Sequence, residues 1–489
     1  MTRVSLEARP DAARSSSGGP SRLPLAALTA LVIGSMVGGG IFSLPSQMAA
    51  SAAPVPLVLG WLITGFGMLM LAFVFQRLAE RKPEVDGGVY GYAREGFGPY
   101  VGFTSAWGYW ISAFIGNVGY MVLLFSTLGY FFPVFGEGNT LAAVVGASVL
   151  LWLMHAMVLR GVTQAAFVNT VATVAKIVPL VTFVALTAIA FKAGIFTTDV
   201  WGKAVQIDGA SLGSSIDQIK NMMLVTVWVF IGIEGASIYS QRARTRSDVG
   251  RATVVGFVGV LALLVLVNLL SYGVMAQPDL AALEDPSLAG VLEHVVGSWG
   301  AAFVSIGLVI SLLGALLSWL LLSAEILRLP ALDDVMPRAL AAENAHGAPA
   351  NALWLTNGAI QVILIWTYFN ASTYLNLILL ATSLILLPYL WSAAYQVMVA
   401  VRERREARPA DLVIGLLALV YAVWLVYAGG LQYVLIAALF YLAGTALFVW
   451  ARVQARQKVF RGVEPILVAL VAVGAVVAVV GMTSGWLAI

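Results

Sequence analysis

Gly34-Ser-Met-Val-Gly38-Gly39-Gly40-Ile41-Phe42 interrupts the first apolar segment of the chain. Three adjacent glycines are poor helix formers and permit backbone conformations that other residues rarely adopt. A second interruption, Phe230-Ile-Gly232-Ile-Glu-Gly235-Ala, falls near the middle of the sixth apolar segment. Broken helices at matching positions of two five-helix halves are typical of membrane folds built from inverted repeats. The alternative is that the glycines only allow close helix packing, for which Gly34 and Gly38 have the spacing.

Apolar residues dominate the whole chain around these two stretches. Hydrophobic residues make up 60% of its 489 residues and charged residues 10%, whereas soluble domains are nearer half apolar and a quarter charged. Runs long enough to cross about 30 Å of hydrocarbon recur along the chain. We therefore predict an all-α polytopic membrane protein that contacts a lipid bilayer. Thirteen spans are predicted, which start near Leu23, Pro54, Tyr100, Thr140, Thr163, Ile219, Ala252, Ser298, Ala350, Ser372, Asp411, Gln432 and Pro465.

Basic residues are concentrated in alternate loops between these spans. The N-terminus and the even-numbered loops hold 23 of the 27 basic residues, and the opposite loops hold Lys192, Lys203 and Lys220. This bias follows the positive-inside rule and places the N-terminus in the cytoplasm. The excess of basic charge is therefore explained by orientation, and no nucleic-acid partner is predicted. The polar residues 1–22 are predicted to form a disordered cytoplasmic tail.

The sequence carries almost no motifs of soluble enzymes or metal sites. Gly209–Gly213 matches the hydrolase pattern G-x-S-x-G, but it lies in a polar loop with no strand before it, and we interpret the match as chance. Cysteine is absent, which excludes disulfides and thiolate chemistry. The three histidines are scattered without metal-ligand spacing. Neither a P-loop nor an HExxH motif occurs. We therefore predict no metal, no cofactor and no enzymatic activity.

Glu234 is the only acidic residue that we place deep inside a span. A carboxylate at the bilayer centre costs several kcal/mol, so it should face a cavity or a partner, or stay protonated. We predict a role in gating and coupling; the structural alternative is that it ties the broken span to a neighbour. No second buried carboxylate is predicted to pair with a cationic ligand.

Lys176 lies in the middle of span 5. Desolvation of its ammonium would make it a candidate proton carrier. Alternatively, it stays charged and replaces a bound sodium ion, bridging span 5 to the broken part of span 1. A third alternative is that the side chain extends to the cytoplasmic face.

Aromatic residues flank the glycine breaks. Trp228 lies two residues before the break in span 6, Trp319 lies in the middle of span 8, and Tyr109 and Trp110 lie in span 3. Rings that face a cavity can bind a guanidinium or ammonium group by cation–π attraction, at about 1–2 kcal/mol when desolvated. The alternative is an interfacial belt or a lipid-facing surface.

Four polar residues inside spans are candidates for hydrogen bonds into a cavity. Isolated polar residues of this kind also hold helices together. The candidates are Ser112, Asn117, Thr382 and Ser383.

Several motifs together resemble a known superfamily. The residues that carry the resemblance are Gly38–Phe42 with Pro45, the loop Lys82–Tyr92, and Trp228–Ala236. This combination resembles the amino acid–polyamine–organocation superfamily. Ala106–Ser112 and Gly129–Thr140 are similar to its basic amino acid/polyamine antiporter family, above all to bacterial arginine–ornithine antiporters.

The resemblance implies a five-plus-five inverted repeat with discontinuous helices 1 and 6 and two or three extra C-terminal spans. The expected transport core is 23–403, with one repeat at about 23–194 and the other at about 219–403, and 404–489 adds further helices. The implied function is exchange of arginine for ornithine across a bacterial inner membrane. A proton-coupled arginine/lysine permease and a membrane amino acid receptor without flux remain alternatives, and a homodimer is left open.

The resemblance also implies how the backbone binds an amino acid. The substrate carboxylate would meet amides at Gly39 and Gly40, beside Gly38, with help from a helix dipole. The α-amino group would bind carbonyls around Met36, Trp228 and Ile231. Many relatives have serine where Gly39 stands, so one hydroxyl contact is missing here.

Other roles are implied for side chains. Trp228 would be the gating aromatic and Trp319 would pack on the aliphatic part of the substrate, which Asn117 would also contact. Glu234 matches the span-6 glutamate of the family, and Tyr109 a tyrosine of the outer cavity. Lys176 matches a lysine of sodium-independent, often proton-coupled members.

Overall fold

The protein is almost entirely helical. The computed structural model describes residues 25, 29, 33, 34, 36–161, 166–234, 246–405 and 408–487. Its α-helices are α1 (Leu44–Ser51), α2 (Pro54–Arg81), α3 (Val89–Phe97), α4 (Pro99–Gly129), α5 (Leu141–Leu159), α6 (Ala166–Ala190), α7 (Ala193–Phe196), α8 (Ser215–Trp228), α9 (Arg246–Tyr272), α10 (Gln277–Ala281), α11 (Ser287–Val296), α12 (Ser298–Leu332), α13 (Ala350–Asn370), α14 (Tyr374–Arg402), α15 (Pro409–Gly429), α16 (Leu431–Gln454) and α17 (Glu464–Thr483).

Shorter elements connect these helices. Strands β1 (Gln206–Ile207) and β2 (Ala210–Ser211) pair antiparallel between α7 and α8. Short 3₁₀ helices cover Gly39–Ser43, Pro133–Phe135 and Arg338–Ala341.

Eleven helices in the described part of the chain are long and apolar enough to cross a membrane: α2, α4, α5, α6, α9 and α12–α17. They correspond to eleven of the thirteen predicted spans, and they start close to the predicted positions. The other two predicted spans are the first and the sixth, which carry the glycine interruptions and are described in part. The prediction of an all-α polytopic membrane protein is confirmed, whereas the division into two repeats stays a prediction. The predicted tail, 1–22, lies outside the described residues.

Helix starts follow local signals in the sequence. The Thr140 hydroxyl accepts a hydrogen bond from the Ala143 amide at 3.2 Å and caps α5. Ser214 and Asp217 form a reciprocal capping box at the start of α8. Proline occupies the first position of α2, α4 and α15, where its missing N–H leaves no hydrogen bond unmade.

Helix α4 lies at the centre of the bundle. Its side chains are buried from Tyr100 to Thr127, and it packs against α12, α13 and α14. In contrast, α17 exposes the large apolar side chains of Ile466, Leu470 and Val473, which suits a surface that faces lipid. Residues that line a buried site are therefore expected around α4 rather than on the C-terminal helices.

The two ends of the bundle differ in charge. Where α2 ends, Arg81 Nη1 lies 3.1 Å from Asp411 Oδ2, and Lys82 pairs with Glu403. We call this end, with Arg77, Arg81 and Lys82, the basic face. At the other end, the Val55 amide at the start of α2 donates to the Val200 carbonyl. We call that end, which includes β1–β2 and the α10–α11 connection, the opposite face.

Candidate functional site

The first predicted break is present in the backbone. Met36 is helical, Val37 and Gly38 are not, and Gly38 is extended with φ −99° and ψ −162°. A 3₁₀ segment, Gly39–Ser43, follows before α1 begins. Backbone groups at such helix ends lack intrahelical partners. The prediction that the three glycines interrupt the first span is confirmed.

The second predicted break begins where α8 ends. The helix stops at Trp228, and the following residues through Glu234 form turns and a short 3₁₀ segment. Gly232 has φ +104°, a backbone conformation that residues with a side chain rarely adopt. The Ile231 amide donates to the Trp228 carbonyl at 3.2 Å, a short-range bond in place of an α-helical one. Gly235 and Ala236, which were predicted to belong to this break, lie outside the described residues.

The two breaks touch each other through the ring of Trp228. A Cβ atom on Gly40 would lie 3.0 Å from Trp228 Cδ1 and 2.9 Å from Val229 Cγ1, so a glycine is required at this contact. The far edge of the indole packs on Gly116, where a Cβ would lie 2.8 Å from Cη2. Trp228 Nε1 donates to the Tyr374 hydroxyl at 2.9 Å. The indole is therefore fixed between span 1, α4 and α14.

Tyr120 completes this contact on the side of α4. Its ring meets that of Trp228 edge to face, with centroids 5.9 Å apart. A Cβ on Gly38 would lie 2.8 Å from its hydroxyl oxygen, and a Cβ on Gly39 would lie 3.5 Å from its ring. The predicted Gly38–Gly40 segment and Trp228 are therefore brought together, with Tyr120 between them.

Glu234 is held by two tyrosines. Tyr109 on α4 donates to Oε1 at 2.6 Å, and Tyr389 on α14 donates to Oε2 at 2.9 Å. The Gly232 amide also donates to Oε2, at 3.2 Å. Hydrogen bonds to an ionised carboxylate are stronger than neutral ones. Glu234 therefore links the second break to both α4 and α14. Tyr109 and Glu234, which were predicted separately, are hydrogen-bonded to each other.

A cavity of about 590 Å³ leads from the basic face to Tyr109 and Glu234. It is lined by apolar side chains of α2, α3 and α12, with a few charged groups among them. Those charged groups are Glu80, Lys82, Asp86, Glu234 and Glu325. Two of the four carboxylates are paired with neighbouring arginines, Glu80 with Arg77 and Glu325 with Arg328, so the mouth of the cavity carries both signs of charge. Glu325 lies near the end of α12 and its side chain is 46% exposed, so it does not contradict the prediction that Glu234 is the acidic residue deep inside a span.

Lys176 on α6 reaches the first broken span. Its Nζ donates to the carbonyls of Gly34 and Val37, at 2.7 Å each. The residue is buried, and its head group is bound by span 1 rather than extended to the surface. This geometry is the one expected if the ammonium takes the place of a bound cation, because carbonyls released by the break receive a positive charge.

The remaining predicted residues lie around α4 and α12. Asn117 Nδ2 donates to Ser323 Oγ at 3.4 Å, and Ser323 Oγ donates to the carbonyl of Trp319 at 2.6 Å. Asn117 Oδ1 is buried without a partner, so it can receive a donor. Ser112 is buried on α4. The Thr382 hydroxyl donates to the Ile378 carbonyl of its own helix, so it is not directed into the cavity.

The sequence analysis missed three tyrosines of this site: Tyr120, Tyr374 and Tyr389. A helical spacing signal exists for the first, because Tyr120 lies about three turns after Tyr109 and therefore on the same face of α4. Tyr374 begins α14, where its position depends on how α14 packs beside α4. No metal site accompanies these groups: among the described residues, no cluster of three His, Asp or Glu side chains is placed to hold a metal ion.

Comparisons with known proteins identify the family of the chain. A family model described as amino acid permease matches residues 23–451. The chain is 59% identical over 478 residues to the arginine/ornithine antiporter of Pseudomonas aeruginosa, an alignment that covers 95% of this chain and 98% of that protein. It is 47% identical to an L-lysine transport protein of Corynebacterium glutamicum, covering 94% and 95%. It is 43% identical to an arginine/agmatine antiporter of Chlamydia caviae, covering 89% and 91%.

Proposed function

The chain belongs to the amino acid permease family, and from this premise we propose that it exchanges cationic amino acids, arginine for ornithine, by alternating access. The observation that carries the proposal is the contact between the two broken segments, where the Gly40 backbone meets Trp228 and Val229. Backbone groups released by a broken helix need partners at membrane depth. A zwitterionic amino acid supplies a carboxylate for the amides and an ammonium for the carbonyls of such a pair of breaks.

The roles that the family resemblance implies for the site residues are compatible with this contact. The carboxylate would bind amides of Gly39 and Gly40, and the α-amino group would bind carbonyls near Met36, Trp228 and Ile231. Because the Trp228 ring packs directly on Gly40, it must move before a substrate occupies this position. Trp228 would therefore act as a gate between the site and one side of the membrane.

Two features favour a cationic substrate. The cavity ends at the carboxyl group of Glu234 and also carries Asp86, and these acidic groups favour a positive side chain by their field. The relatives at 59% and 43% identity are named for arginine, ornithine and agmatine. Trp319, Asn117 and Ser112 would contact the substrate side chain from α12 and α4.

Orientation in the membrane follows from charge. The basic face carries most of the basic loops, so the positive-inside rule places it in the cytoplasm of a bacterium. The 590 Å³ cavity would then open to the cytoplasm, and the Trp228 contact would close the path to the outside. The structure would in this case represent an inward-facing state.

Exchange is tested in proteoliposomes that contain the purified protein. Labelled arginine should enter vesicles loaded with ornithine at least about tenfold faster than empty vesicles, if the unloaded carrier reorients slowly. A competition panel with lysine, agmatine and alanine defines the substrate class. Equally fast uptake into empty vesicles would overturn the exchange proposal, and binding without any accumulation would indicate a receptor.

A proton-coupled arginine or lysine permease is the second candidate. The relative named as an L-lysine transport protein favours it, and Lys176, a buried amine beside the first break, is the residue that would carry the proton. In this case uptake into empty vesicles would depend on an inward proton gradient, and Lys176→Met would abolish that dependence. Lys192→Met, at an exposed lysine on the opposite face, is the control. Unchanged pH dependence in Lys176→Met would exclude Lys176 as the proton carrier.

A further inference from the structure

A second buried polar cluster lies towards the opposite face and has no part in the site above. It consists of Asp285, Ser43 and Gln47, and we call it the outer cluster. Asp285 belongs to the connection between α10 and α11, outside the spans. Ser43 ends the 3₁₀ segment of the first break, and Gln47 follows one turn later on α1; they are 0% and 5% exposed. The cluster therefore joins an outer connection to the broken first span.

The polar atoms of the outer cluster are incompletely paired. Ser43 and Gln47 lie close enough to the Asp285 carboxyl group to lower its pKa by hydrogen bonding. Nevertheless, four polar atoms of the cluster are buried and have no partner at hydrogen-bonding distance and angle. They are Asp285 Oδ1, Ser43 Oγ and both polar atoms of the Gln47 amide. Buried polar groups are normally paired. A proton on Asp285 would turn it into a donor for the acceptors that face it.

The surroundings of Asp285 disfavour its negative charge. Burial raises the pKa of Asp285 to about 7, although hydrogen bonding from Ser43 and Gln47 lowers it in part; the nearby carboxylate of Glu137, in the α4–α5 connection, adds a smaller increase. Tyr374 on α14 is the other titratable group close to it. On the side of α4, Ser126 Oγ donates to the Asp285 carbonyl at 2.5 Å and fixes the connection in place.

We propose that Asp285, closed against Ser43 and Gln47, is a proton-binding site of the outer closure. The carboxyl group takes one proton from the medium when the α10–α11 connection closes on α1, and returns it when this closure opens and water reaches the group. The proposal rests on the proposed function only for the idea that this face opens during transport. Asp285 lies outside the predicted substrate site, so the prediction that no second buried carboxylate pairs with a cationic ligand stays a prediction.

The direction of the pH effect follows from the two states. A hydrated aspartate has a pKa near 4, whereas the pKa in the closed state is about 7. Protonation therefore favours closure below pH 7, and this advantage is lost as the pH rises through 7. Between pH 6 and pH 8 the ratio of closed to open protein should fall about tenfold.

Transport gives the first test. The half-saturation concentration for external arginine should fall up to about tenfold between external pH 6 and pH 8, because the open state becomes more populated. Asp285→Asn, a permanently neutral isostere, should abolish this dependence. Glu284→Gln removes the exposed neighbouring carboxylate and should retain it. A pH profile in Asp285→Asn equal to that of the wild type would overturn the proposal.

A labelling test does not depend on transport, so it separates this proposal from the proposed function. The chain has no cysteine, so Ser46→Cys places a single thiol beneath the α11 start, where the Ser46 amide bonds to Ser287. Its rate of labelling by a maleimide in detergent should rise about tenfold more between pH 6 and pH 8 than that of Ser211→Cys, an exposed reporter on β2. Equal increases at the two positions would overturn the proposal even if arginine is transported.

Discussion

At the scale of single residues, Gly40 offers the sharpest test of the substrate site. A methyl group there would lie 2.9 Å from Val229 and 3.0 Å from Trp228, whose ring is fixed by Tyr374. We expect Gly40→Ala to reduce arginine uptake at least about tenfold, because the two breaks can no longer approach each other. Proteoliposome exchange at equal protein content measures the effect.

Gly34→Ala is the matched control for this prediction. Gly34 belongs to the same span, but a Cβ there would meet only Thr173 Oγ1 at 3.9 Å, an ordinary contact. It should keep uptake within about twofold of the wild type, and it should be folded as judged by thermal unfolding. Wild-type uptake in Gly40→Ala would show that the contact between the breaks has no role in transport.

The sequence predicts the positions of some site residues and not of others. Three glycines in a row and a tryptophan beside a second glycine break are local signals, and both breaks were located from them. Tyr389 gives no such signal, because its bond to Glu234 depends on how α14 packs against α4. Asp285 also gives no signal, because it lies in a connection, where acidic residues are normally solvated. Only the folded structure shows that its Oδ1 atom is inaccessible to solvent.

At the scale of elements, the sequence predicts where helices start but not which helices pack against each other. Proline or a capping threonine marks α2, α4, α5 and α15. The short helices α10 and α11 carry no span signal, since neither is long enough to cross a bilayer. The hydrogen bond between α17 and α4 could not be predicted from the sequence either, because it joins residues that are far apart in the chain.

Glu464 accepts this hydrogen bond. Replacing its carboxylate should lower the stability of the protein and leave its transport rate nearly unchanged. Its Oε1 accepts from the Tyr100 amide at the start of α4 at 2.8 Å, and its Oε2 accepts from the Arg461 amide at 2.7 Å. In Glu464→Gln, the NH2 of a side-chain amide replaces one of these two oxygen acceptors, and the negative charge near the start of α4 is lost. We expect a loss of about 1–2 kcal/mol, as for other N-terminal caps.

Thermal unfolding in detergent measures this effect. The melting temperature of Glu464→Gln should be lower by a few degrees, whereas uptake at 25 °C should stay within about twofold. Glu284→Gln, at an exposed carboxylate, should change neither quantity. An unchanged melting temperature in Glu464→Gln would mean that α17 contributes nothing to the central helix through this contact.

At the scale of the whole molecule, the movement of charge distinguishes the two proposed modes of transport. Arginine and ornithine each carry one net positive charge at neutral pH, so a complete exchange cycle moves no net charge. Groups of the protein itself return to their starting positions at the end of a cycle, so they add no net charge movement. A proton-coupled permease, in contrast, would carry at least one net charge inward with each arginine.

Membrane potential should therefore have little effect on exchange. One elementary charge is worth about 2.3 kcal/mol per 100 mV, which corresponds to about fiftyfold in accumulation. We expect a potassium diffusion potential of that size, set with valinomycin, to leave arginine uptake into ornithine-loaded vesicles unchanged within about twofold. The same potential applied to empty vesicles is the control, because uptake there reports only movement without a counter-substrate. Several-fold acceleration of uptake in the loaded vesicles by a negative interior would contradict electroneutral exchange, since it requires that net positive charge enters with each arginine.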